Sequence, residues 1–439
     1  MTRQRAGVFT YAGFDVDARR NQVVCRYRLD DRTFQEEITF PGGGDWAQPA
    51  VESAARLLFL LAGVSYFKAG APLLIDLGDT AITAAERSFL HGYYLDGLGE
   101  FAHRNELDLS GLQITGPELD RPAPTSYAPE PGRPLIPFGG GLDSIVSVEL
   151  VRPRVHDAAL FVVDRPGDQF AAIEAPARVT GLPVVRAERL IDEQVLRSAE
   201  LGFYNGHVPV TGIISAIALV AAVLEGRDAV VMSNEWSASS ATLTVGGRPI
   251  NHQYSKSDAF ESGLRQVIGG APDYFSLLRP FSELWIARRF ADHPQYLHQF
   301  RSCNRAFHID HAKRLDTWCG RCDKCCFIDL VLAPFVPREQ LAGVFSDAEP
   351  LADPTLLDTF RRLLALTPDA KPWECVGDEV ECRAAARMAA DRADRRGNTV
   401  LATLTVESAA IADPPAADLL EPLAAHHVPD RYAPDALLV

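Results

Sequence analysis

The strongest chemical signal in the chain is a glycine-rich stretch, Pro137-Phe138-Gly139-Gly140-Gly141-Leu142-Asp143-Ser144. It follows a short apolar run at residues 134–138 and precedes a run with helical character at residues 145–151. Three glycines let backbone N–H groups approach a phosphate, and the start of a helix adds partial positive charge. Asp143 could hold Mg²⁺, and Ser144 could donate to a phosphate oxygen. The stretch therefore predicts a phosphate-binding loop between a strand and a helix.

Known nucleotide-binding patterns narrow this prediction. The stretch lacks the Gly-Lys-Ser/Thr of a Walker loop and the G-x-G-x-x-G of a dinucleotide-binding fold. It resembles the PP-loop, S-G-G-x-D-S, of the ATP pyrophosphatase superfamily, although Gly139 stands where that family usually has Ser. The resemblance implies that ATP is cleaved to AMP and pyrophosphate with Mg²⁺, and that these residues bind the nucleotide: Gly139, Gly140, Gly141, Asp143 and Ser144.

Cysteines form the second signal, and four of them are spaced as metal ligands: Cys303, Cys319, Cys322 and Cys325. Four thiolates can surround a tetrahedral ion, and a closed site with four sulfurs is typical of structural Zn²⁺. His308 or His311 could replace one of the ligands. An iron–sulfur cluster stays open as the chemical alternative.

A third signal is a pair of polar stretches at residues 233–240 and 251–258, which carry amides, hydroxyls, acids and the cation Lys256. They show little hydrophobic periodicity. Such a segment suits a substrate loop that supplies hydrogen-bond donors, a proton-transfer group and a positive charge. A solvated polar loop without a chemical role is the alternative.

The elements that would position these residues alternate between strands and helices. Apolar strand-like runs occupy residues 134–138, 158–163, 184–186 and 229–232, and helical runs lie between them at residues 145–151, 169–180 and 211–224. This alternation predicts a parallel sheet with helices on both faces. Ligands bind beyond the carboxyl ends of such strands, where the glycine loop, Asp164 and Glu235 would meet.

Composition shifts divide the chain of 439 residues into four parts. We expect an N-terminal α+β domain at 1–115, a proline-rich linker at 116–134, a PP-loop ATP-binding domain with the cysteine knuckle at 135–345, and a helical C-terminal region at 346–439. The fold class predicted is α/β, and the resemblance to the PP-loop superfamily implies an adenine nucleotide alpha-hydrolase-like parallel sheet at its centre. From residue 410 onward, alanine, proline and acidic residues predict a loosely ordered tail or a partner-binding extension.

Charge and hydropathy exclude some classes of partner. The formal net charge of −15 argues against nucleic acid as a partner. The longest apolar run, residues 213–224, is too short to span a bilayer and predicts a buried helix. No secretory segment opens the chain, so we expect a cytoplasmic protein without a membrane partner, in which cysteines bind metal before they form disulfides. The oligomeric state is left open.

Several phrases in a shared order resemble the MurL family. They are residues 63–69, 139–144, 233–235, 251–257, 319–327 and 374–377. The resemblance implies an isomerase of peptidoglycan precursor synthesis that converts the terminal L-Glu of UDP-MurNAc-L-Ala-L-Glu into D-Glu, after a ligase has attached L-Glu. Adenylating the glutamyl carboxylate with ATP would make its α-proton removable, and hydrolysis would release AMP and diphosphate.

This reaction needs proton transfer on both faces of the α-carbon. The candidates for proton transfer are Glu235, which we rank first, and His252, Lys256 and Asp258. The candidates for substrate binding are Asn234, Asn251, Tyr254 and Ser257.

Two other functions stay open. A PP-loop enzyme that resembles 7-cyano-7-deazaguanine synthase, or one that forms an amide, would share the loop and the cysteines but act on another carboxylate. A zinc scaffold without catalysis would not need Asp143.

Overall fold

The centre of the protein is a ten-stranded sheet, and a separate two-stranded hairpin lies outside it. The structure is a computed structural model that describes residues 5–120, 127–269, 272–308, 310–368 and 371–438. The strands are β1 (Phe9–Asp17), β2 (Gln22–Leu29), β3 (Arg32–Thr39), β4 (Leu74–Asp76), β5 (Gln113–Thr115), β6 (Pro134–Pro137), β7 (Ala159–Asp164), β8 (Val184–Leu190), β9 (Ala229–Met232), β10 (Leu243–Val245), β11 (Arg248–Ile250) and β12 (Asp273–Ser276).

Helices of four to fifteen residues surround the sheet. They are α1 (Pro49–Ala62), α2 (Val64–Phe67), α3 (Ala84–Leu95), α4 (Gly99–Arg104), α5 (Leu142–Val151), α6 (Ala171–Thr180), α7 (Glu193–Leu196), α8 (Val210–Leu224), α9 (Asp258–Ile268), α10 (Glu283–Ala291), α11 (Asp323–Leu332), α12 (Arg338–Val344), α13 (Leu357–Leu363), α14 (Glu379–Ala390) and α15 (Thr399–Glu407).

The order of the large sheet is β12-β9-β6-β7-β8-β3-β2-β1-β4-β5. From β12 to β8 all neighbours are parallel. The middle pairs β8–β3, β3–β2 and β2–β1 are antiparallel, and β4 and β5 continue the sheet in parallel. The predicted α/β class with a mostly parallel sheet is therefore confirmed, whereas the PP-loop fold stays a prediction.

The two halves of the sheet meet where β3 pairs with β8, from Glu37 opposite Leu190 to Thr39 opposite Glu188. An ion pair crosses this seam, because Nε of Arg189 lies 2.7 Å from Oε1 of the fully buried Glu36. The division of the chain into four parts stays a prediction. The structure joins the first part to the third through one continuous ladder of hydrogen bonds.

Part of the predicted linker, residues 121–126, lies outside the described residues. Just after it, the hydroxyl of Tyr127 donates to the carbonyl oxygens of Ala222 and Arg227, at 3.0 and 2.8 Å. This end of the proline-rich stretch is therefore fixed to the end of α8.

Alternate residues of the central strands enter two different cores. Leu135 and Phe161 face a core that contains α1, α3 and α8, whereas Ile136 and Leu160 face a core that contains α5, α10, α11 and α14. Successive side chains of a strand point to opposite faces, so a sheet that buries both must be almost entirely apolar. The prediction of helices on both faces is confirmed.

Two apolar helices belong to these cores. The predicted buried helix at 211–224 is α8, which is buried over most of its length. By length and composition, the helical stretch Pro49–Phe67 could cross a membrane, but 78% of its most apolar window is buried inside the fold. Its apolar surface is therefore used in packing.

Sequence patterns missed several elements. The nine-residue strand β1 and the short strand β12 were not predicted. The polar stretch contains the hairpin β10–β11, whose turn uses Gly246 and Gly247 at φ +57° and +81°. The segment from Ala84 to Arg104 forms two helices, α3 and α4, instead of one continuous helix. At Gly97, between them, a Cβ would lie 2.3 Å from the carbonyl oxygen of Tyr93.

The expectation of a loosely ordered tail is wrong for the described residues up to 438. Tyr432 is 1% exposed, and its hydroxyl donates to both carboxylate oxygens of Asp228 at 2.8 Å. The amide of Leu423 donates to the carbonyl oxygen of Pro280 at 2.7 Å. The tail packs because its few apolar residues join the core of α10 and α14.

Candidate active site

The glycine loop joins β6 to α5, as the sequence predicts. Gly140 has a φ of +72°, and a Cβ there would lie 2.3 Å from the carbonyl oxygen of Ala172. Gly141 is the N-cap of α5, and no side chain among the described residues caps this helix start. At Gly139 a Cβ would meet nothing described within 4 Å, so this position has space for the usual Ser. The loop is therefore built to present N–H groups to an anion.

The two polar residues that follow the loop have different surroundings. Ser144 donates its hydroxyl to the carbonyl oxygen of Gly141 at 3.0 Å. Asp143 lies in the first turn of α5 and belongs to a cluster of acids. Asp143 is therefore the better placed of the two for a cation.

Three carboxylates meet beside the loop: Asp143 of α5, Glu235 after β9 and Glu283 at the start of α10. One oxygen from each lies within 4.8 Å of the others. Burial and the charge of Glu235 raise the pKa of Asp143 to about 6. Burial and the charge of Asp143 raise the pKa of Glu283 well above its usual range. Oε2 of Glu235 is buried without a hydrogen-bond partner among the described residues.

Carboxylates this close repel one another unless a proton or a cation shares the site. Oxygen ligands are those that Mg²⁺ prefers. The unpartnered oxygen of Glu235 gives such an ion a ready ligand. The cluster of Asp143, Glu235 and Glu283, called the carboxylate cluster below, therefore fits a divalent cation.

Two lysines connect the carboxylate cluster to Cys375. Burial alone would lower the pKa of Lys256, but the negative charges of Cys375, Glu235 and Asp143 raise it. Nζ of Lys324 donates to the carbonyl oxygen of Cys375, and its charge also acts on Asp143. A thiol therefore lies within electrostatic reach of the same two ammonium groups as the carboxylate cluster.

Cys375 forms a hydrogen-bonded chain with His252 and Glu100. Nδ1 of His252 lies 2.5 Å from Oε2 of Glu100, and His252 also hydrogen-bonds Cys375. Burial raises the pKa of Cys375, but Lys256 and His252 outweigh it and lower that pKa to about 6. Burial lowers the pKa of His252, but its bonds to Cys375 and Glu100 raise it to about 9. Near neutral pH the pair is a thiolate and an imidazolium.

His207 completes this group, with its ring 4.3 Å from that of His252. Burial and the nearby His252 lower the pKa of His207 to about 4, so it is neutral at pH 7. Glu100, His207 and His252 are close enough to be considered as metal ligands. The direct bond of 2.5 Å between Glu100 and His252 leaves no room for an ion between those two atoms. We treat the group as an acid–base network.

The turn that carries Cys375 is fixed from two directions. The ring of Trp373 lies 5.9 Å from that of His103 in α4. Glu374 accepts a hydrogen bond of 2.6 Å from Nδ2 of Asn304, which follows the first of the four clustered cysteines. The thiol is therefore held between the N-terminal half of the chain and the cysteine cluster.

The four predicted cysteines come together, and their sulfur atoms lie within 4.8 Å of one another. Sγ of Cys325 is 3.4 Å from that of Cys322 and 3.6 Å from that of Cys319. A Zn²⁺ ion with bonds of about 2.3 Å would place its sulfurs about 3.8 Å apart. Hydrogen bonds from Cys322 and Cys325 lower the pKa of Cys303. The four cysteines therefore fit a metal ion that is coordinated by four sulfur atoms.

The two histidines considered as substitutes lie outside this cluster. Nδ1 of His308 accepts a hydrogen bond from the amide of Asp310 at 3.0 Å. Nε2 of His311 lies 3.3 Å from Oδ1 of Asp168. The cysteines themselves complete the cluster.

Arg279 is a buried residue that holds the polar stretch in place. It donates to the carbonyl oxygens of Glu235 and Lys256, at 2.8 and 2.5 Å. It also pairs with Glu261 of α9 at 3.0 Å. The two candidate residues on either side of the hairpin β10–β11 are therefore fixed by one guanidinium.

The predicted substrate-binding residues mostly bond to the protein itself. Nδ2 of Asn234 donates to Oγ of Ser276 at 2.9 Å, and that of Asn251 donates to the carbonyl oxygen of Ala238 at 2.8 Å. Ser257 caps α9. The fourth, Tyr254, is partly buried and packs against Phe260 in the core of α8. Their roles toward a substrate stay predictions.

Asp258 lies apart from the other proton-transfer candidates. It is the first residue of α9, and its side chain is 53% exposed. Oδ1 lies 3.7 Å from Nε2 of His427. The structure groups Asp258 with the C-terminal tail, whereas Glu235, His252 and Lys256 share one network of charges.

Sequence reasoning missed Glu100, Arg279 and Glu283 as members of the site. A local signal for Glu283 exists, because Ser282 is a typical N-cap residue and Glu283 is the first residue of the helix that follows. The strand β12, which precedes this helix, was not predicted. Glu100 lies 152 positions before its partner His252, and no local pattern connects them. Cys375 was part of a recognised phrase, but its ionisation depends on neighbours from other elements.

These features define a class: a mixed α/β protein with a glycine loop, a carboxylate cluster and a four-cysteine cluster. Family models describe the same chain. The MurL N-terminal domain matches residues 1–277, and the MurL C-terminal domain matches residues 299–419.

Relatives match along most of the chain. A protein of Xanthomonas oryzae pv. oryzae (strain MAFF 311018) is 38% identical over 411 residues, which cover 91% of this chain and 89% of its own. A protein of Micromonospora sp. (strain ATCC 39149 / NRRL 15099 / SCC 1413) is 36% identical over 98% of both chains. Both are named UDP-N-acetyl-alpha-D-muramoyl-L-alanyl-L-glutamate epimerase, and epimerases are isomerases. No solved structure matches the chain. The chain belongs to the MurL family.

Proposed function

We propose that this protein is an ATP-dependent isomerase that converts the terminal L-Glu of UDP-MurNAc-L-Ala-L-Glu into D-Glu during peptidoglycan precursor synthesis. The observation that carries the proposal is the identity of 36% and 38% with relatives that bear this epimerase name, over most of each chain. The arrangement of the glycine loop, the carboxylate cluster and Cys375 supports a reaction that activates a carboxylate and moves a proton.

The chemistry explains why ATP is needed. The α-proton beside a free carboxylate is very weakly acidic, because its removal adds a second negative charge to the same group. Transfer of AMP to the carboxylate removes the first charge and leaves an acyl group that can accept the electron pair. Hydrolysis of the inverted acyl adenylate would then release the D-Glu product with AMP, and pyrophosphate leaves in the first step.

The glycine loop and the carboxylate cluster would carry the adenylation step. The N–H groups around Gly140 and Gly141 would bind the departing pyrophosphate. Asp143, Glu235 and Glu283 would hold Mg²⁺, which offsets the negative charge of the ATP phosphates when bound. Although the sequence ranks Glu235 first as the base, its place in the carboxylate cluster supports a role as a ligand.

The four clustered cysteines would hold a structural Zn²⁺. They come from the loop before α11 and from the start of α11 itself, so a closed four-sulfur site would tie these segments together. Cys326, next to Cys325, is fully buried in the core of α11 and α14. It is not needed as a ligand.

The reaction suggests the surroundings in which the protein works. UDP-linked precursors and ATP are cytoplasmic compounds, so we place the protein in the cytoplasm. The chemistry also requires a ligase that attaches L-Glu to the precursor beforehand. The oligomeric state carries no proposal.

The test is an incubation with ATP, Mg²⁺ and UDP-MurNAc-L-Ala-L-Glu, followed by chiral analysis of the released glutamate and an assay of AMP. We expect D-Glu together with AMP. AMP without D-Glu, and with nitrogen incorporated when ammonia is present, would instead support an amide-forming enzyme of the same superfamily. Absence of both products from folded, zinc-loaded protein would overturn the proposal.

Asp143→Asn is the matched variant, because it keeps the shape of the side chain and removes its charge. We expect it to lose AMP formation and D-Glu formation together. Full activity of this variant would contradict a role of the carboxylate cluster in adenylation, and a protein that acts only as a zinc scaffold would be indifferent to the change.

A further inference from the structure

Adenylation accounts for the glycine loop and the carboxylate cluster, but it leaves a second group of titratable residues without a task. Cys375, His252 and Glu100 form a hydrogen-bonded chain whose first member also interacts with Lys256 and Lys324. The side chains of His252 and Glu100 are only 12% and 4% exposed. A cysteine in such a setting is held for its thiolate, because the cations around it stabilise the charged form.

Cys375 and the carboxylate cluster share neighbouring lysines, which places the thiol near the expected position of the substrate's α-carbon. Lys256 is acted on by Cys375 and by Glu235 and Asp143, and Lys324 acts on Asp143 as well as on Cys375. The α-carbon is bonded directly to the carboxyl carbon that receives AMP. Because the same two lysines interact with Cys375 and with the carboxylate cluster, a substrate whose carboxylate binds at the cluster has its α-carbon, one bond away, in the region that Cys375 borders. The residue as a whole is of intermediate exposure, and its thiol lies among the charged groups of Lys256 and His252.

We propose that Cys375 is the base that removes the α-proton of the adenylated glutamyl residue, and that His252 and Glu100 are positioning residues that hold its thiolate. This inference rests on the proposed function. The C–H bond breaks, an S–H bond forms on Cys375, and the electron pair moves into the enolate of the acyl adenylate. A solvent-derived proton then adds to the opposite face as the enolate collapses. The proton on sulfur returns to solvent and restores the thiolate.

The other candidates for the base fit less well. Glu235 belongs to the carboxylate cluster, and Asp258 is 53% exposed and lies beside His427. His252 is protonated near neutral pH, because Cys375 and Glu100 hold its pKa at about 9. An imidazolium can donate a proton but cannot accept one.

The experiment compares the full-length wild type with Cys375→Ala and Cys375→Ser, using UDP-MurNAc-L-Ala-L-Glu in D₂O. Substrate-dependent exchange of labelled pyrophosphate into ATP measures adenylation. Deuterium incorporated at the α-carbon and D-Glu formed measure proton transfer. Cys25→Ala is the control, because Cys25 is a buried thiol of β2 outside the site.

We expect both Cys375 variants to keep pyrophosphate exchange within a few-fold of the wild type and to lose deuterium incorporation and D-Glu by about 100-fold or more, the usual effect of losing a general base. Cys25→Ala should keep all activities. Retention of D-Glu formation within about tenfold would overturn the inference, and so would an equal loss of exchange and D-Glu, because Cys375 would then serve binding or folding.

Two further results separate this inference from the proposed function. A wild type that neither adenylates nor epimerises this substrate would overturn both, whereas an active wild type with an active Cys375→Ala variant would overturn the inference alone. His252→Gln tests the positioning role. It should raise the pH at which deuterium exchange is half-maximal while Lys256 and Lys324 stay in place, and an unchanged pH profile would contradict that role.

Discussion

At the scale of single residues, the chemistry of Cys375 is decided by its neighbours. Desolvation alone would favour the neutral thiol, and two lysines with one histidine reverse that preference. The cations come from two separate parts of the chain: His252 and Lys256 from the polar stretch after β11, and Lys324 from α11. The same residue type elsewhere in this chain behaves differently, since burial and the charge of Glu36 raise the pKa of Cys25.

The ionisation of Cys375 is directly measurable. Because its pKa is lowered to about 6, the thiolate should form as the pH rises through about 6 and should be lost below that value. The difference in absorbance at the thiolate band between the wild type and Cys375→Ala should therefore titrate near pH 6. Lys256→Met should raise this midpoint, because it removes the largest stabilising charge. A midpoint near that of a free thiol in the wild type would contradict the structure of this network.

At the scale of elements, two loops and the helix starts that follow them organise the site. The glycine loop leads into α5, and the cysteine turn leads into α11, where Gly320 adopts a φ of +68° between two of the clustered cysteines. In both places a residue without a Cβ allows a tight turn just before the helix begins. The neighbouring glycines of the first loop are not equivalent, however, and this difference can be tested.

Gly140→Ala should damage the glycine loop, whereas Gly139→Ala should not. The new Cβ at Gly140 would lie 2.3 Å from the carbonyl oxygen of Ala172 in a left-handed conformation, but that at Gly139 would meet nothing within 4 Å. We expect Gly140→Ala to cost about 1–3 kcal/mol of unfolding free energy and to lose pyrophosphate exchange. Urea unfolding and the exchange assay measure these effects. Equal behaviour of the two variants would count against the loop geometry.

If the four clustered cysteines bind a metal ion, the metal content of the protein should depend on each of them. Cys319→Ser should reduce the zinc content of the purified protein at least about tenfold and lower its Tm, because the segments before and within α11 lose their common ion. Cys326→Ala is the control, since Cys326 is buried outside the cluster of ligands. Elemental analysis would reveal iron and sulfide if the four cysteines held an iron–sulfur cluster instead of zinc. Unchanged zinc in Cys319→Ser would refute the ligand set.

At the scale of the whole molecule, the sheet connects regions that the sequence separates. The pairing of β3 with β8 joins an antiparallel unit from the first forty residues to the parallel strands that lead to the glycine loop. Glu100, on α4 of the first region, reaches His252 beside the hairpin β10–β11. The N-terminal part of the chain therefore contributes a residue directly to the candidate site.

The buried ion pair at the seam of the sheet should be important for stability. Glu36→Ala would leave the guanidinium of Arg189 without its carboxylate partner in a buried setting. We expect a loss of about 3–5 kcal/mol in unfolding free energy, as for other broken buried pairs, with faster hydrogen exchange in both β3 and β8. Gln35→Ala, at the exposed neighbouring position, should change stability by about 0.5 kcal/mol or less. Similar values for the two variants would contradict the importance of the seam.

Much of the fold and part of the site were predictable because they depend on spacing within one segment. Apolar runs in the sequence indicate the alternation of β6, α5, β7, α6 and β8. The glycine loop lies between the first two of these elements, β6 and α5. The four clustered cysteines needed only their intervals. The family resemblance rests on the order of short sequence motifs along the chain, which can be read without a structure.

Only the tertiary structure decided which distant residues meet. Glu100 and His252 are 152 positions apart, and Glu283 reaches Asp143 because β12 and β6 lie on either side of β9 in the same sheet. The order of strands in a sheet, and the short strands at its edges, are settled by long-range packing that no local pattern records. The sequence by itself therefore determined the loop, the cysteines and the family, while the folded sheet decided the carboxylate cluster and the charge on Cys375.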